Sequence, residues 1–452
     1  MTLLPETEST QERVVLLKEA LESGELASIR EILKELHAAE IADLLESLPP
    51  KERDDLWRLV SPEQEGDVLS HAQDAVRSVL LEQMHPREVA AATENLDSDD
   101  AADILQDLPP PMVDEVLRSM DEQNRQRLAQ VLSYPEDTAG GLMNIDAVTV
   151  RSDVELDVVV RYLRLKGTLP DQTDSLMVVD RQNRYLGLLP LTAVLTEPPD
   201  RTVGEVMTTR TDAIAADKPA TEVAKTFEQW DLLSAPVVDA EGRLLGRITV
   251  DDVVDVIREQ SEGSLLKFWG LNQDEDVFAP AMSSARRRAF WLGVNLATCF
   301  LAASVIGIFE KTLQQFVALA VLMPTVASMG GIAGSQTLTL VVRGLALGQV
   351  GWANARPLLL KELAVGWANG LLWAVVVGAV TRWWFGDAKL GVIIGLAMII
   401  NLFAAALAGA LIPLGMKKLG IDPALAGSVV LTTVTDCTGF FVFLGLGTLL
   451  LL

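Results

Sequence analysis

Apolar and polar positions follow three different rules along this chain. In the first part the apolar residues fall at helical spacing. Leu44, Leu45 and Leu48 stand at i, i+1 and i+4, the spacing of one buried helix face. Residues 37–60 recur as residues 97–120 at an offset of 60, with eight of the 24 positions identical, Asp43/Asp103, Leu45/Leu105, Leu48/Leu108 and both proline pairs among them. Self-similarity of this kind predicts stacked helical hairpins, an α-helical solenoid N-domain over residues 1–135. Pro49-Pro50 is expected to end the first helix, because proline lacks an N–H and clashes with the preceding turn. Asp97 or Ser98 is expected to cap the matching helix in the second unit.

In the middle, over residues 136–257, the pattern becomes a strand–turn–strand–helix unit used twice. Val178-Val179-Asp180 followed by Gly187 recurs as Val237-Val238-Asp239 followed by Gly246. Leu191-Thr192-Ala193-Val194 recurs as Val250-Asp251-Asp252-Val253, and a Met-containing segment precedes each copy, at 141–150 and 205–215. The second copy runs into a helix from 253 to about 263. A linker, counted with the connecting helix as 258–285, then leads to Arg286-Arg287-Arg288.

The last part, 286–452, holds five apolar segments near 289–309, 315–340, 360–383, 390–415 and 424–450. About 20 residues of helix cross a hydrocarbon core of roughly 30 Å, so each is long enough to span. Five soluble core helices in succession with so few charges are not expected. The Lys and Arg pattern orients them. Arg286, Arg287, Arg288, Arg343, Arg356, Lys361, Lys417 and Lys418 fall on one side, and Lys311, Arg382 and Lys389 on the other. The positive-inside rule then puts the N-terminus in the cytoplasm and the C-terminus outside an inner, cytoplasmic membrane.

Charge sharpens the division. Of the 62 Asp and Glu residues, 57 lie within 1–285, against 26 of the 37 Lys and Arg. Such an acidic body repels nucleic acid and attracts cations, though solubility alone would also account for it. The two cysteines, Cys299 and Cys437, sit in apolar segments without disulfide or zinc spacing. The start MTLLPETEST lacks the basic-then-apolar pattern of a secretory signal. No nucleophile–base pair, Walker loop or dinucleotide fingerprint points to an enzyme. His37, His71 and His85 stand too far apart in sequence to suggest a triad or a metal cluster.

Candidate chemistry rests on carboxylates. Asp436 lies near the middle of the fifth apolar segment, in Thr432-Thr433-Val434-Thr435-Asp436-Cys437. An unpaired charge there is costly to bury, and a bound cation or protonation removes the cost. Two such carboxylates across a dimer axis would match the charge of one divalent ion. The alternative is a neutral Asp bonded to a neighbouring helix. Asp97, Asp99, Asp100 and Asp103 form a dense cluster that reads either as capping with a solvated face or as a weak Mg2+ site. Pro324 and the run Met329-Gly330-Gly331-Ile332-Ala333-Gly334-Ser335-Gln336 can break a helix and expose carbonyls, or can permit close packing. Asn295, Asn369 and Asn401 read first as interhelical hydrogen bonds and second as pore lining.

Two resemblances follow. Ala235-Pro236-Val237-Val238-Asp239 through Thr249-Val250-Asp251-Asp252 resembles the second of a pair of CBS domains, and 176–192 is a weaker first copy. Such pairs often bind adenine nucleotides, ATP among them, and the resemblance makes Thr249 and Asp252 candidate nucleotide contacts. Residues 420–439 and the run GGxxGxQ–T–VRGLALG at 330–348 are similar to the MgtE magnesium channel/transporter family, as is the order of domains. That resemblance implies a homodimer with its pore between protomers and Mg2+ held at Asp436. It also implies regulatory Mg2+ between the N-domain and the CBS pair, on Asp99, Asp100, Asp103, Asp252 and Asp255, with Glu262 in the connecting helix. Asp422, Thr432, Thr435, Gly331, Gln336 and Asn401 are the expected pore lining. Two positions depart from the family: Ile332 stands where Asn is usual, and the early acidic run of the connecting helix is thinned to Ser261-Glu262-Gly263.

The expectation is therefore a Mg2+ uptake channel embedded in lipid and closed by internal Mg2+, with no nucleic-acid partner. The rivals are an ion-coupled transporter of Co2+ or a similar divalent ion, and a membrane-anchored CBS nucleotide sensor that conducts nothing.

Overall fold

The structure is a computed structural model that describes residues 26–170, 172–209, 212–268 and 276–452. Two compact units emerge. One comprises the described residues up to Ser261 together with 276–279, and the other the described residues from 262 onward apart from those four.

Among the described residues the first unit opens with nine helices: α1 (Leu26–Glu35), α2 (Ala38–Glu46), α3 (Pro50–Trp57), α4 (Glu65–His71), α5 (Asp74–Leu81), α6 (Pro86–Thr93), α7 (Ser98–Gln106), α8 (Pro110–Ser119) and α9 (Glu122–Val131). Leu44, Leu45 and Leu48 are buried as their spacing predicts, and join Leu56, Leu69, Leu80, Ile104 and Leu105 in one core. The prolines act otherwise than expected. Pro49 and Pro109 sit at N-caps, and Pro50 and Pro110 open α3 and α8. A proline at the first helical position lacks only an N–H that would have no intrahelical partner, and its φ is already helical. Asp97 does occupy the N-cap of α7, but its side chain makes no capping bond. His37 and His71, distant in sequence, meet edge to face at 5.7 Å because the hairpins stack.

Two small sheets follow with identical topology. In the first, β1 (Thr149–Arg151) runs parallel to β2 (Ser175–Val179), which pairs antiparallel with β3 (Tyr185–Pro190). In the second, β4 (Ile214–Ala215), β5 (Ser234–Val238) and β6 (Leu244–Thr249) do the same. The sequence repeat is a register repeat: Val178 faces Gly187 and Val237 faces Gly246, with a bulge following each valine. Helices α10 (Leu156–Lys166), α11 (Leu191–Thr196), α12 (Val203–Val206) and α13 (Ala220–Trp230) complete the pair. The Met-containing segments are exchanged between the copies. Asn144 trades both backbone hydrogen bonds with Arg247 of the second sheet, and Thr208 does so with Leu188 of the first, all at 2.8–2.9 Å. Glycine is needed at both contacts. A Cβ on Gly246 would stand 2.5 Å from the Asn144 carbonyl oxygen, and one on Gly187 2.6 Å from that of Thr208.

Helix α14 (Val250–Phe268) runs without interruption through 257/258. Asp251 and Asp252 in its first turn favour its N-terminus, and it holds no proline to end it. Residues 269–275 and the side chain of Glu262 lie outside the described residues.

The second unit holds five long apolar helices: α15 (Ala281–Ile308), α17 (Val317–Ala346), α18 (Ala355–Phe385), α19 (Ala388–Lys418) and α20 (Pro423–Leu451), with a short α16 (Glu310–Gln315) after the first. Each long helix reaches beyond most of the apolar stretch seen in sequence, since hydropathy marks the hydrocarbon-depth part and helices continue into the polar interface. α15, which takes in Arg286–Arg288, therefore begins eight residues before the expected start. α19 is the most enclosed of the five, packed by α17, α18 and α20. α17 passes through Pro324 without a break, so of the two readings of this run close packing holds over an unwound segment.

Candidate functional site

In the first unit, the fold brings the acidic start of α14 to the acidic start of α7. Ser98 anchors the approach: its Oγ accepts from the Ile145 N–H at 2.9 Å and lies 3.3 Å from Asn144 Oδ1. Next to it Asp99 is only 7% exposed. Burial pushes its carboxyl well above the usual range, and the charges of Asp252, Asp100 and Asp97 push it further. Burial raises Asp103 to about 8, with Glu136 adding to the shift and Arg77 opposing it. Asp252 is raised to about 7 by burial and the Asp251 and Asp100 charges, against hydrogen bonds from Thr249. Asp100 rises to about 6, by burial and the Asp97 charge, with His71 opposing.

Five of the six expected regulatory residues can thus be placed. Four gather as a mutually repelling set, Asp99 buried and Asp100, Asp103 and Asp252 half-buried. Asp255 is exposed, 3.8 Å from Arg258, and adds to the field felt by Asp100 and Glu259. Sequence reading passed over Glu136 and Glu259, both raised first by burial and also by carboxylate neighbours. Arg77 is the counter-charge at the edge, bound to Asp107 and Asp74.

The donors are all oxygen, the chemistry Mg2+ takes. Among the described residues no three His, Cys, Asp or Glu side chains converge closely enough to hold a bare ion. The set suits an ion that keeps most of its waters and bridges through them.

Thr249 and Asp252, the candidate nucleotide contacts, bind each other. Asp252 Oδ2 accepts from the Thr249 N–H and Oγ1, each at 3.0 Å, and Thr249 Oγ1 also donates to Asp251. They form the N-terminal cap of α14.

In the second unit, Asp436 is half-buried on α20, one turn beyond the exposed Thr432. Among the described residues it makes no hydrogen bond or ion pair. Thr432 and Thr433 hydroxyls turn back on the carbonyls of Ser428 and Val429 at 2.8 Å. Asp422 is exposed and caps α20 through the Ala424 N–H at 2.9 Å. Gln336 is exposed, and Gly331 faces open space. Ile332 is 56% exposed beside them.

Two further expected lining residues are enclosed within the chain. Thr435 is buried and donates to the Thr432 carbonyl at 3.0 Å. Asn401 is fully buried and its amide donates to the Val326 carbonyl at 2.9 Å, the interhelical role. It wedges between two glycines: a Cβ would stand 2.3 Å from Asn401 Nδ2 on Gly330 and 2.9 Å from it on Gly439. α17, α19 and α20 are locked together there, within one turn of Asp436. A further carboxylate went unnoticed in sequence. Glu362 of α18 is 5% exposed, accepts from Thr337 Oγ1 at 3.1 Å and pairs with Lys361 at 2.9 Å. An acidic residue inside KELAVGW was the available signal.

Comparison with known proteins agrees with this architecture. Residues 323–446 match the family profile described as MgtE, divalent cation transporter. Residues 36–137 match the MgtE intracellular N domain, and residues 203–259 a CBS domain. The chain is 31% identical to the magnesium transporter MgtE of Thermus thermophilus over 97% of this chain and 98% of that one. It is 28% identical to the MgtE of Bacillus subtilis over 84% and 85%. The cytosolic domain of an Mg2+ channel MgtE, crystallised with ATP, superposes with a TM-score of 0.50 at 32% identity, covering 54% of this chain and 99% of that one. With acidic helical repeat, CBS pair and five apolar helices each in place, the chain belongs to the MgtE family of magnesium transporters.

Proposed function

We propose that this chain is a homodimeric Mg2+ uptake channel, with a pore between protomers and closure driven by Mg2+ gathering among the cytoplasmic carboxylates. The observation that carries this reading is Asp436, half-buried in a long apolar helix and unpartnered among the described residues. A carboxylate at that depth needs a counter-charge. Its twin across a two-fold axis would supply the second charge for a hydrated divalent ion. The regulatory half has a matching logic. Asp99, Asp100, Asp103 and Asp252 repel when bare, and a bridging divalent ion reverses the sign of that term, so the compact form is favoured as the ion accumulates. The positive-inside pattern supports a cytoplasmic N-terminus and an extracytoplasmic C-terminus.

The test is Mg2+ flux into proteoliposomes. Asp436→Ala is expected to lower flux by roughly two orders of magnitude or more, because a buried ion loses its charge partner. Unchanged flux in that variant would remove the main support of the channel reading, and a wild type that passes no Mg2+ would favour the membrane-anchored sensor. Flux that depends on an imposed proton or Na+ gradient would favour the coupled transporter. ATP binding at the CBS pair is a second proposal, supported by the ATP complex of the related cytosolic domain. Equilibrium dialysis with ATP tests it.

A further inference from the structure

A cavity of about 510 Å3 opens among α6, α8 and α9 of the helical repeat, with Ser98 and Ala101 of α7 also in its lining but none of the clustered carboxylates. Its size falls within the roughly 300–1,000 Å3 of small-molecule sites. Three guanidiniums line it: Arg87, Arg118 and Arg127. Elsewhere in the repeat Arg53, Arg77 and Arg125 each hold a carboxylate partner. Arg87 and Arg118 make no ion pair among the described residues. Arg127 pairs with Asp146, in the segment that also receives Ser98. Two carboxylates face the same space. Asp121 is occupied capping α9, accepting from the Gln123 and Asn124 N–H groups at 2.8 and 3.0 Å. Glu94 remains, so once Arg127 leaves Asp146 the lining holds three positive charges against two negative ones. That balance suits one phosphate group and disfavours a polyphosphate. Met120, Leu96 and Leu128 supply an apolar wall beside the arginines.

We propose that this cavity binds a small phosphomonoester, whose phosphate takes the Arg87 and Arg118 forks and draws Arg127 away from Asp146. Arginine forks match phosphate oxygens in a bidentate way that a surface lysine cannot. The Arg127–Asp146 pair holds α9 to the segment 144–146, which is bonded to the N-terminus of α7. Releasing it loosens the seat of Asp99, Asp100 and Asp103 against α14. Occupancy of the cavity therefore opposes the Mg2+-bound compact form. This coupling rests on the gating reading above, whereas binding to the cavity does not.

Two measurements on the full chain in detergent micelles test it. The first is calorimetric titration in Mg2+-free buffer with phenyl phosphate and with inorganic phosphate, chloride serving as the ionic-strength control. Saturable binding is expected for the wild type, and binding at least roughly tenfold weaker for Arg87→Gln/Arg118→Gln, whose exposed side chains leave the fold unaffected. No saturable heat, or equal heat in the double variant, overturns the site. The second is the Mg2+ concentration for half-maximal protease protection. Phenyl phosphate is expected to raise it by about threefold in the wild type and to leave it unmoved in the double variant. Binding without that shift overturns the coupling. A wild type that Mg2+ does not protect at all overturns the gating reading, and the cavity then stands or falls on the first measurement.

Discussion

Asp99, buried at the start of α7, lies in the field of the half-buried Asp252 at the start of α14, whose charge makes the Asp99 carboxyl harder to ionise. A native contact that stores repulsion depends on its solution, and pH and divalent ions are the two variables that relieve it.

The pH dependence has a definite sign. Asp99, Asp100, Asp103 and Asp252 all carry raised values, the last three to about 6, 8 and 7. A carboxyl raised in the folded state favours folding below its unfolded value, near 3.9, and loses that contribution as pH rises through the folded one. The first unit is therefore expected to lose melting temperature between about pH 4 and pH 8 in chelator. Millimolar Mg2+ should flatten the curve. A melting temperature that rises over this window in chelator would contradict the burial of these groups.

Asp99→Asn and Asp252→Asn should each act as a partial substitute for the ion. Removing one of two facing charges relieves the repulsion and keeps the side-chain shape. Protease resistance at low Mg2+ should increase, and the Mg2+ needed for half-protection should change less steeply with pH. A variant more sensitive to protease than the wild type in chelator would count against the reading.

Arg53 and Asp276 make a buried pair of another kind. Arg53 is fully enclosed, donates to the Leu45 and Leu48 carbonyls at 2.9 and 3.1 Å, and meets Asp276 Oδ2 at 2.8 Å. Burial would raise the Asp276 carboxyl, but the Arg53 hydrogen bond and charge outweigh it and leave the value lowered. Asp276→Leu leaves an uncompensated buried charge and should cost about 3–5 kcal/mol. Arg53→Met, which also removes the carbonyl contacts, should be no milder. Denaturant midpoints of the two single variants and the double variant will show whether the pair acts as a unit.

Asn401 is expected to be sensitive in both directions. Asn401→Leu leaves the glycine seats and loses the hydrogen bond to the Val326 carbonyl, which keeps its helical partner, costing about 1 kcal/mol. Gly439→Ala intrudes on Asn401 and should cost about 1–3 kcal/mol by overpacking. Thermal melts in detergent measure both, and flux measured beside them reports whether the change carries to Asp436.

Glu362 separates charge from hydrogen bonding. Glu362→Gln keeps an acceptor for Thr337 and loses the Lys361 pair, so little loss of stability is expected, within about 1 kcal/mol since Lys361 is well exposed. Glu362→Leu leaves the buried Thr337 hydroxyl without its acceptor and should be clearly worse in the same melt.

Much of the architecture was legible from local pattern alone. Helical spacing at Leu44, Leu45 and Leu48, the repeat of Val178/Gly187 at Val237/Gly246, and five apolar runs each carry their own signal, because periodicity and burial are properties of neighbouring residues. The acidic start of α7 and the lone Asp436 were visible for the same reason: a charge where its neighbours predict none. Other features needed the folded chain. Which carboxylates share a field, which sheet receives Asn144 and which Thr208, and whether Asn401 faces a pore or a glycine seat are decided by contacts between segments far apart in sequence. Pro50 likewise reads as a stop from the helix before it, and acts as a start because of the helix after it. Sequence sets what each segment can do alone, and long-range packing chooses among those options, since the free energy of a buried polar group depends on the partner it meets.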